Sequence, residues 1–168
     1  IHHYPDIYSS EGHQKSYVVE EFIKTFKSKQ GQFIEILKLK EFGNALFIDN
    51  ELQVAESDEK LYSSTFVNSS LKLSGSNSSA AIIGGGDGGV ARECINNGFN
   101  YVDWFELDQE VVECCQKYLP EVFKNINRSN NVNCIWGDAF QNIKSSENEK
   151  YDHLFIDLND DSYCINLA

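Results

Sequence analysis

Methionine is absent from this chain of 168 residues, and proline appears only at Pro5 and Pro120. With Ile1 at its start and no Met anywhere, the sequence reads as a fragment or a processed product. No apolar run approaches the roughly 18 residues of a bilayer-spanning helix, and no signal-peptide pattern opens the chain, so no membrane association is expected. Basic residues are scarce: 14 Lys+Arg stand against 26 Asp+Glu, giving a formal net charge of −12. A nucleic-acid binder displaces counterions from phosphates with Lys and Arg, so that class is excluded, as is an anionic membrane surface. A cationic partner fits this balance, and so does acidity that serves solubility alone. Histidine is limited to positions 2, 3, 13 and 153, none at metal-ligand spacing from a cysteine. The cysteines, at 94, 114, 115, 134 and 164, are odd in number and lack a C-x-x-C pair. This excludes a disulfide framework and points to a reduced, cytoplasmic setting with no metal centre.

What is present is ordinary for one globular domain: 41% apolar and 24% charged residues. Residues 1–57 read as a β-strand region. Strands are expected over 16–26, 33–39, 45–48 and 52–55, with turns at Gln30–Gly31, at Gly43 and over Asp49–Asn50–Glu51. The short connections favour antiparallel hairpins. Residues 58–79 form a helix and linker. Asp58 is the candidate N-cap of a helix over 59–72, with Leu61, Tyr62, Phe66 and Leu71 as inward groups, and the serine-rich stretch 74–79 is the connector. From residue 80 the pattern alternates: strands at 80–83, 101–106, 132–136 and 153–156, with helices between them and Asp108 and Asp138 as caps. Strand–helix alternation predicts a parallel, doubly wound sheet, so the fold class is α/β.

Two signals carry chemistry. The first is Gly84-Gly85-Gly86-Asp87-Gly88-Gly89, which holds G-x-G-x-x-G at 84, 86 and 89, directly after a strand and before a helix. Glycines there let a ligand approach the backbone, and Glu106, at the end of the next strand, stands where an acid binds both ribose hydroxyls. Asp87 inside the loop repels a pyrophosphate. It favours a cationic ligand, such as the sulfonium or amine of an S-adenosyl compound, over NAD; alternatively it only caps the following helix. The second signal is the row Glu106, Asp138 and Asp157 at successive strand ends, where ligands of open α/β sheets bind. Asp138 follows Gly137 and can reach an adenine edge, and Asp157 is followed by Asp160 and Asp161. A solvated acidic loop is the bland alternative for that last group. A weaker pattern, Gln53-x-x-Glu56-x-Asp58-x-x-x-Tyr62, lies between the hairpins and the first helix.

Together these residues resemble the polyamine aminopropyltransferases. The likeness rests on Phe42-Gly-Asn-Ala-Leu-Phe-Ile48, Gln53-Val-Ala-Glu-Ser-Asp58, the run from Ile82 to Val90, Glu106-Leu-Asp108 and Gly137-Asp-Ala139, and spans roughly residues 30–160. Ala55-Glu-Ser-Asp58, Glu106-Leu-Asp-Gln109 and Asp157-Leu158 look closer to animal-type spermine synthase. The resemblance implies an N-terminal β region joined to a Rossmann-like domain of the methyltransferase type, here incomplete over 80–168. It implies transfer of an aminopropyl group from decarboxylated S-adenosylmethionine, a co-substrate rather than a bound cofactor, to spermidine. The products would be spermine and methylthioadenosine. By the same resemblance Gln53 and Asp87 hold the methionine-derived end of the donor, Gly84 and Gly86 line its loop, Glu106 holds the ribose and Asp138 the adenine. Asp157 is the catalytic aspartate, Tyr62 and Asp160 face the polyamine acceptor, and a homodimer is implied.

Two departures stand out: the segment after Asp157 lacks the family's proline, and the chain stops at Ala168, short of the elements that complete the family's sheet. Rival readings therefore stay open. Asp157-x-x-Asp160 has the spacing of spermidine synthase, which uses putrescine. An S-adenosylmethionine methyltransferase shares the sheet and the ribose acid. An inactive, shortened relative serves only binding or dimerisation.

Overall fold

In the computed structural model, residues 2–143 and 150–158 are described. The N-terminal part is a five-stranded antiparallel meander: β1 (His2–Pro5), β2 (Ser16–Lys27), β3 (Phe33–Leu39), β4 (Gly43–Ile48) and β5 (Glu51–Ala55), paired in chain order. β1 is missing from the sequence-based expectation, because His2 and His3 give it no apolar alternation; Tyr4 holds it by packing on Phe47 with ring centroids 4.7 Å apart. The β4–β5 loop is also one residue shorter than expected. Ile48 pairs with Glu51, and Asp49 and Asn50 both take positive φ (50° and 69°), the backbone of a two-residue hairpin turn whose twist matches its strands.

Both faces of β3, β4 and the end of β5 are buried, which explains why these strands read as continuous apolar runs. Ile34, Ile36, Leu46, Ile48 and Val54 join the main core, while Leu37, Leu39, Ala45, Phe47 and Ala55 form a second cluster with Tyr17 and Val19. The meander is thus joined to the second half of the molecule through Ile34, Ile36, Leu46, Ile48 and Val54.

That half is a four-stranded parallel sheet in the order β8–β7–β6–β9, formed by β6 (Ser79–Gly84), β7 (Tyr101–Glu106), β8 (Val132–Trp136) and β9 (His153–Asp157). Helices α1 (Glu59–Ser74), α2 (Gly89–Asn96), α3 (Gln109–Tyr118) and α4 (Ala139–Ile143) connect the elements. Ile82, Trp104 and Phe155 from neighbouring strands, Val90 and Cys94 from α2, and Cys115 from α3 fill the core. The chain runs outward from β6 to β8 and then returns to the other side of β6 as β9. The strand order therefore reverses between β6 and β9, the place where open α/β sheets hold ligands.

Two expectations for α1 are corrected. Asp58 occupies the N-cap position, yet its side chain makes no cap hydrogen bond. Leu61 and Tyr62 do not point inward; they are exposed, and the buried stripe is Glu59, Ser63 and Val67. A polar stripe can be buried here because α1 packs on α2, whose Arg92 supplies the partner for Glu59. The other two caps form as expected: Asp108 Oδ1 accepts the Glu110 N–H at 3.0 Å, and Asp138 Oδ1 accepts that of Phe140 at 2.8 Å.

Candidate active site

A cavity of about 1150 Å³ opens at the C-terminal ends of the parallel strands, walled on one side by β4 and β5 and on another by α1. Gln53, Tyr62, Gly84, Gly86, Asp87, Glu106, Asp138 and Asp157 all line it. The sequence scatters these residues over a hundred positions, and the switch in strand order gathers them. Asp160 lies outside the described residues. Of the weaker sequence pattern, Gln53, Asp58 and Tyr62 reach the cavity. Glu56 does not: its Oε2 accepts the Asn44 N–H at 2.8 Å and fixes the β3–β4 turn.

The glycine loop is built on contact with β9. Gly84 pairs with Asp157 in register, and the Gly85 N–H donates to the Asp157 carbonyl at 2.9 Å. Gly84 has φ +78°, and a Cβ there would stand 2.3 Å from that carbonyl oxygen, so only glycine lets the two strands close. Trp104 Nε1–H donates to the Gly84 carbonyl at 2.7 Å, tying the loop to the buried face of β7. At Gly86 the approach is to a side chain: a Cβ would meet Glu106 Oε2 and Val111 Cγ1, each at 3.1 Å.

Asp87 meets both the following helix and the cavity. Its Oδ1 accepts the Gly89 N–H at 2.7 Å, at the start of α2, and its side chain also borders the cavity. Glu106 Oε1 accepts the Asp108 N–H at 2.9 Å, leaving Oε2 toward Gly86. Asp157 Oδ1 accepts the Tyr62 hydroxyl at 3.0 Å. Gln53 Nε2–H donates to the Glu51 carbonyl at 3.3 Å.

These acids sit close enough to resist ionising together. Burial pushes the Asp87 carboxyl up to about 7, helped by the charge of Asp157 and opposed by the Gly89 N–H. Burial likewise raises Glu106 to about 7, against the hydrogen bonds from Asp108 and Leu107. Asp157 is also raised by burial, while the Tyr62 hydrogen bond pulls it back. Among the described residues no Lys or Arg lines the cavity, so a cation of suitable shape would relieve the repulsion and ionise the acids on binding.

Sequence reasoning missed the layer beneath the loop. Glu59 accepts both Arg92 Nη1–H (2.7 Å) and Nη2–H (2.9 Å), and Ser63 Oγ donates to Glu59 Oε1 at 2.8 Å. All three residues are buried. The only signal in the sequence was an acid in the first turn of α1, which alone reads as a complement to the helix dipole.

The spermine/spermidine synthase domain model matches residues 59–166. The chain belongs to this family. A polyamine aminopropyltransferase of Methanocaldococcus jannaschii is 34% identical over 158 residues, 92% of this chain and 53% of that protein. One from Korarchaeum cryptofilum is 34% identical over 143 residues, 85% of this chain and 44% of that protein. The fold of the spermine/spermidine synthase family is also seen in a spermidine synthase from Thermotoga maritima, with a TM-score of 0.84 at 23% identity, covering 93% of this chain and 54% of that one. A spermidine synthase crystallised with the transition-state analogue AdoDATO matches equally well. The chain spans about half the length of the curated relatives it matches.

Proposed function

We propose that this protein transfers an aminopropyl group from decarboxylated S-adenosylmethionine to spermidine, giving spermine and methylthioadenosine. The observation that carries the reading is the Tyr62–Asp157 hydrogen bond at the strand switch, in a cavity that the adjoining glycine loop and its acids also line. In this reading Glu106 receives the ribose hydroxyls, Asp138 the adenine, and Gln53 with Asp87 the aminopropyl end and its sulfonium. Gly84 and Gly86 let the donor approach the loop backbone. Asp157 faces the acceptor, and the resemblance assigns Asp160 to the same ligand.

An alkylamine has a pKa near that of Lys, about 10.4, so the acceptor arrives protonated and its nitrogen has no free electron pair. Asp157 binds the ammonium, takes one proton and releases the lone pair toward the carbon next to sulfur. The new C–N bond forms as the C–S bond breaks, and the sulfur leaves as a neutral thioether that needs no acid. Tyr62 fixes the rotamer of the base. Holding nitrogen and carbon about 3–3.5 Å apart supplies much of the rate. Burial that raises the Asp157 carboxyl brings its proton affinity closer to that of the amine, which favours the transfer.

Spermidine as acceptor follows the resemblance of Ala55–Asp58, Glu106–Gln109 and Asp157–Leu158 to spermine synthase, whereas the Asp157-x-x-Asp160 spacing favours putrescine. The test is mass analysis of products after incubation with decarboxylated S-adenosylmethionine and either amine. Spermine with methylthioadenosine is expected. Spermidine formed from putrescine instead moves the acceptor assignment, and methyl transfer from S-adenosylmethionine rejects the class.

A further inference from the structure

We propose that Glu59 and Arg92 are positioning residues: their buried pair locks the first turn of α1 to the start of α2, so that Tyr62 and Asp87 face one cavity in a fixed relation. Glu59 opens α1, three residues before Tyr62, and Arg92 lies on α2, five residues after Asp87. The guanidinium is fully engaged. Besides its two bonds to Glu59, it donates from Nε and Nη2 to Glu93 Oε1 (3.0 and 2.9 Å) and from Nη1 to the Val122 carbonyl at 3.2 Å. The pair meets the glycine loop at Gly89, where a Cβ would stand 2.2 Å from Glu59 Oε1, 2.3 Å from Ser63 Oγ and 3.0 Å from Asp87 Oδ1. Three side chains, two from α1 and one from the loop, thus converge over one hydrogen atom of the first residue of α2.

A buried ion pair is a poor stabiliser, because desolvation offsets the attraction; its best-attested use is to fix register. Here the register is that of the acceptor-side tyrosine against the donor-side aspartate. The charges also act on Asp87 directly. It is faced by Asp157 from β9, Glu59 from α1, Arg92 from α2 and the Cys115 thiol from α3. Glu59 disfavours its carboxylate and Arg92 favours it.

The test follows the Asp87 carboxyl carbon by NMR through a pH titration of the ligand-free protein, in wild type, Glu59→Gln and Arg92→Gln. The midpoint is expected to fall in Glu59→Gln and to rise in Arg92→Gln. A merely structural role gives no reason for opposite signs. In both variants the Kd for decarboxylated S-adenosylmethionine, measured by calorimetry, is expected to rise about tenfold, the scale of a small misplacement. Unmoved midpoints, or midpoints displaced in the same direction in two folded variants, overturn the proposal. Should a single variant not fold, the double Glu59→Met/Arg92→Met replaces the pair with apolar groups of similar volume. It is expected to fold and to lose the same affinity, and wild-type affinity there overturns the positioning role. The donor arm rests on the aminopropyl-transfer reading, whereas the titration arm does not. Wild-type protein that binds no donor therefore rejects that reading and leaves the titration to decide this one.

Discussion

The hydroxyl of Tyr62, on an exposed turn of α1, donates to Asp157 Oδ1 at 3.0 Å across 95 residues of sequence. This bond favours the carboxylate over the acid and so lowers the proton affinity that burial raises. Tyr62→Phe removes that support. The Asp157 carboxyl then rises further, and because a base must be ionised to act, the acid limb of the pH–kcat/KM profile moves to higher pH. A loss of about tenfold in kcat/KM is expected, equivalent to about 1.4 kcal/mol, close to the lower end of the range for a hydrogen bond to a charged group. Asp157→Asn is more severe. It is expected to abolish turnover while methylthioadenosine still binds, since that product lacks the amine assigned to the base. Wild-type turnover in Asp157→Asn would falsify the assigned base.

Asp87 and Glu106 ionise only near neutrality in the ligand-free site, both raised to about 7. Their folded-state values lie above the unfolded ones, so the folded protein holds more protons between about pH 4 and 7. These groups therefore contribute stability at low pH that is lost as pH rises through that interval. Asp87→Asn keeps an oxygen for the Gly89 N–H and removes the charge. It is expected to raise the Tm of the ligand-free protein at about pH 8 by about 2–4 °C, on the order of 1 kcal/mol for a chain of this size. Donor affinity should fall at the same time. A Tm unchanged or lowered at that pH, in a protein that still folds, contradicts the assigned repulsion.

The fold was largely legible because glycine and periodicity punctuate it: Gly84–Gly89 after an apolar strand marks the loop, and Glu106, Asp138 and Asp157 stand at or just beyond strand ends. What stayed hidden is tertiary. The partner of Glu59 is 33 residues away, and nothing local distinguishes it from Lys60 or Asp58 as a surface group. Leu61 and Tyr62 carry the apolar period of an inward face, yet the cavity takes them instead. β1 had no alternation to read, because its side chains hold an exposed edge. The cap expected of Asp58 failed even though its position was right: the side chain borders the cavity rather than closing on the helix.

The net charge of −12 gives a separate expectation. A polycationic acceptor carries more charge than the donor, so its capture gains more from the protein's field. Raising salt from about 0.1 to 1 M shortens the Debye length from about 10 to 3 Å. The kcat/KM for the acceptor should then fall more steeply than that for the donor in initial-rate measurements. Equal salt slopes would show that the acidic surface serves solubility and not capture.

Gly84 and Gly86 separate folding from binding. Gly84→Ala puts a methyl group 2.3 Å from the Asp157 carbonyl in a backbone conformation with φ +78°, and backbone on both sides has nowhere to move. A cost on the order of 3 kcal/mol or more is expected from strain and the lost β6–β9 closure, read as a large drop in Tm. At Gly86 φ is not positive, and the nearest obstacles are side-chain atoms, Glu106 Oε2 and Val111 Cγ1 at 3.1 Å. These can shift by a few tenths of an ångström. Gly86→Ala should therefore fold with a Tm near wild type but displace the acid assigned to the ribose, raising the Kd for methylthioadenosine about tenfold. Should Gly86→Ala bind the nucleoside as well as wild type does, Glu106 is not the ribose ligand; should Gly84→Ala fold as stably, the β6–β9 junction is looser than its 2.9 Å hydrogen bond implies.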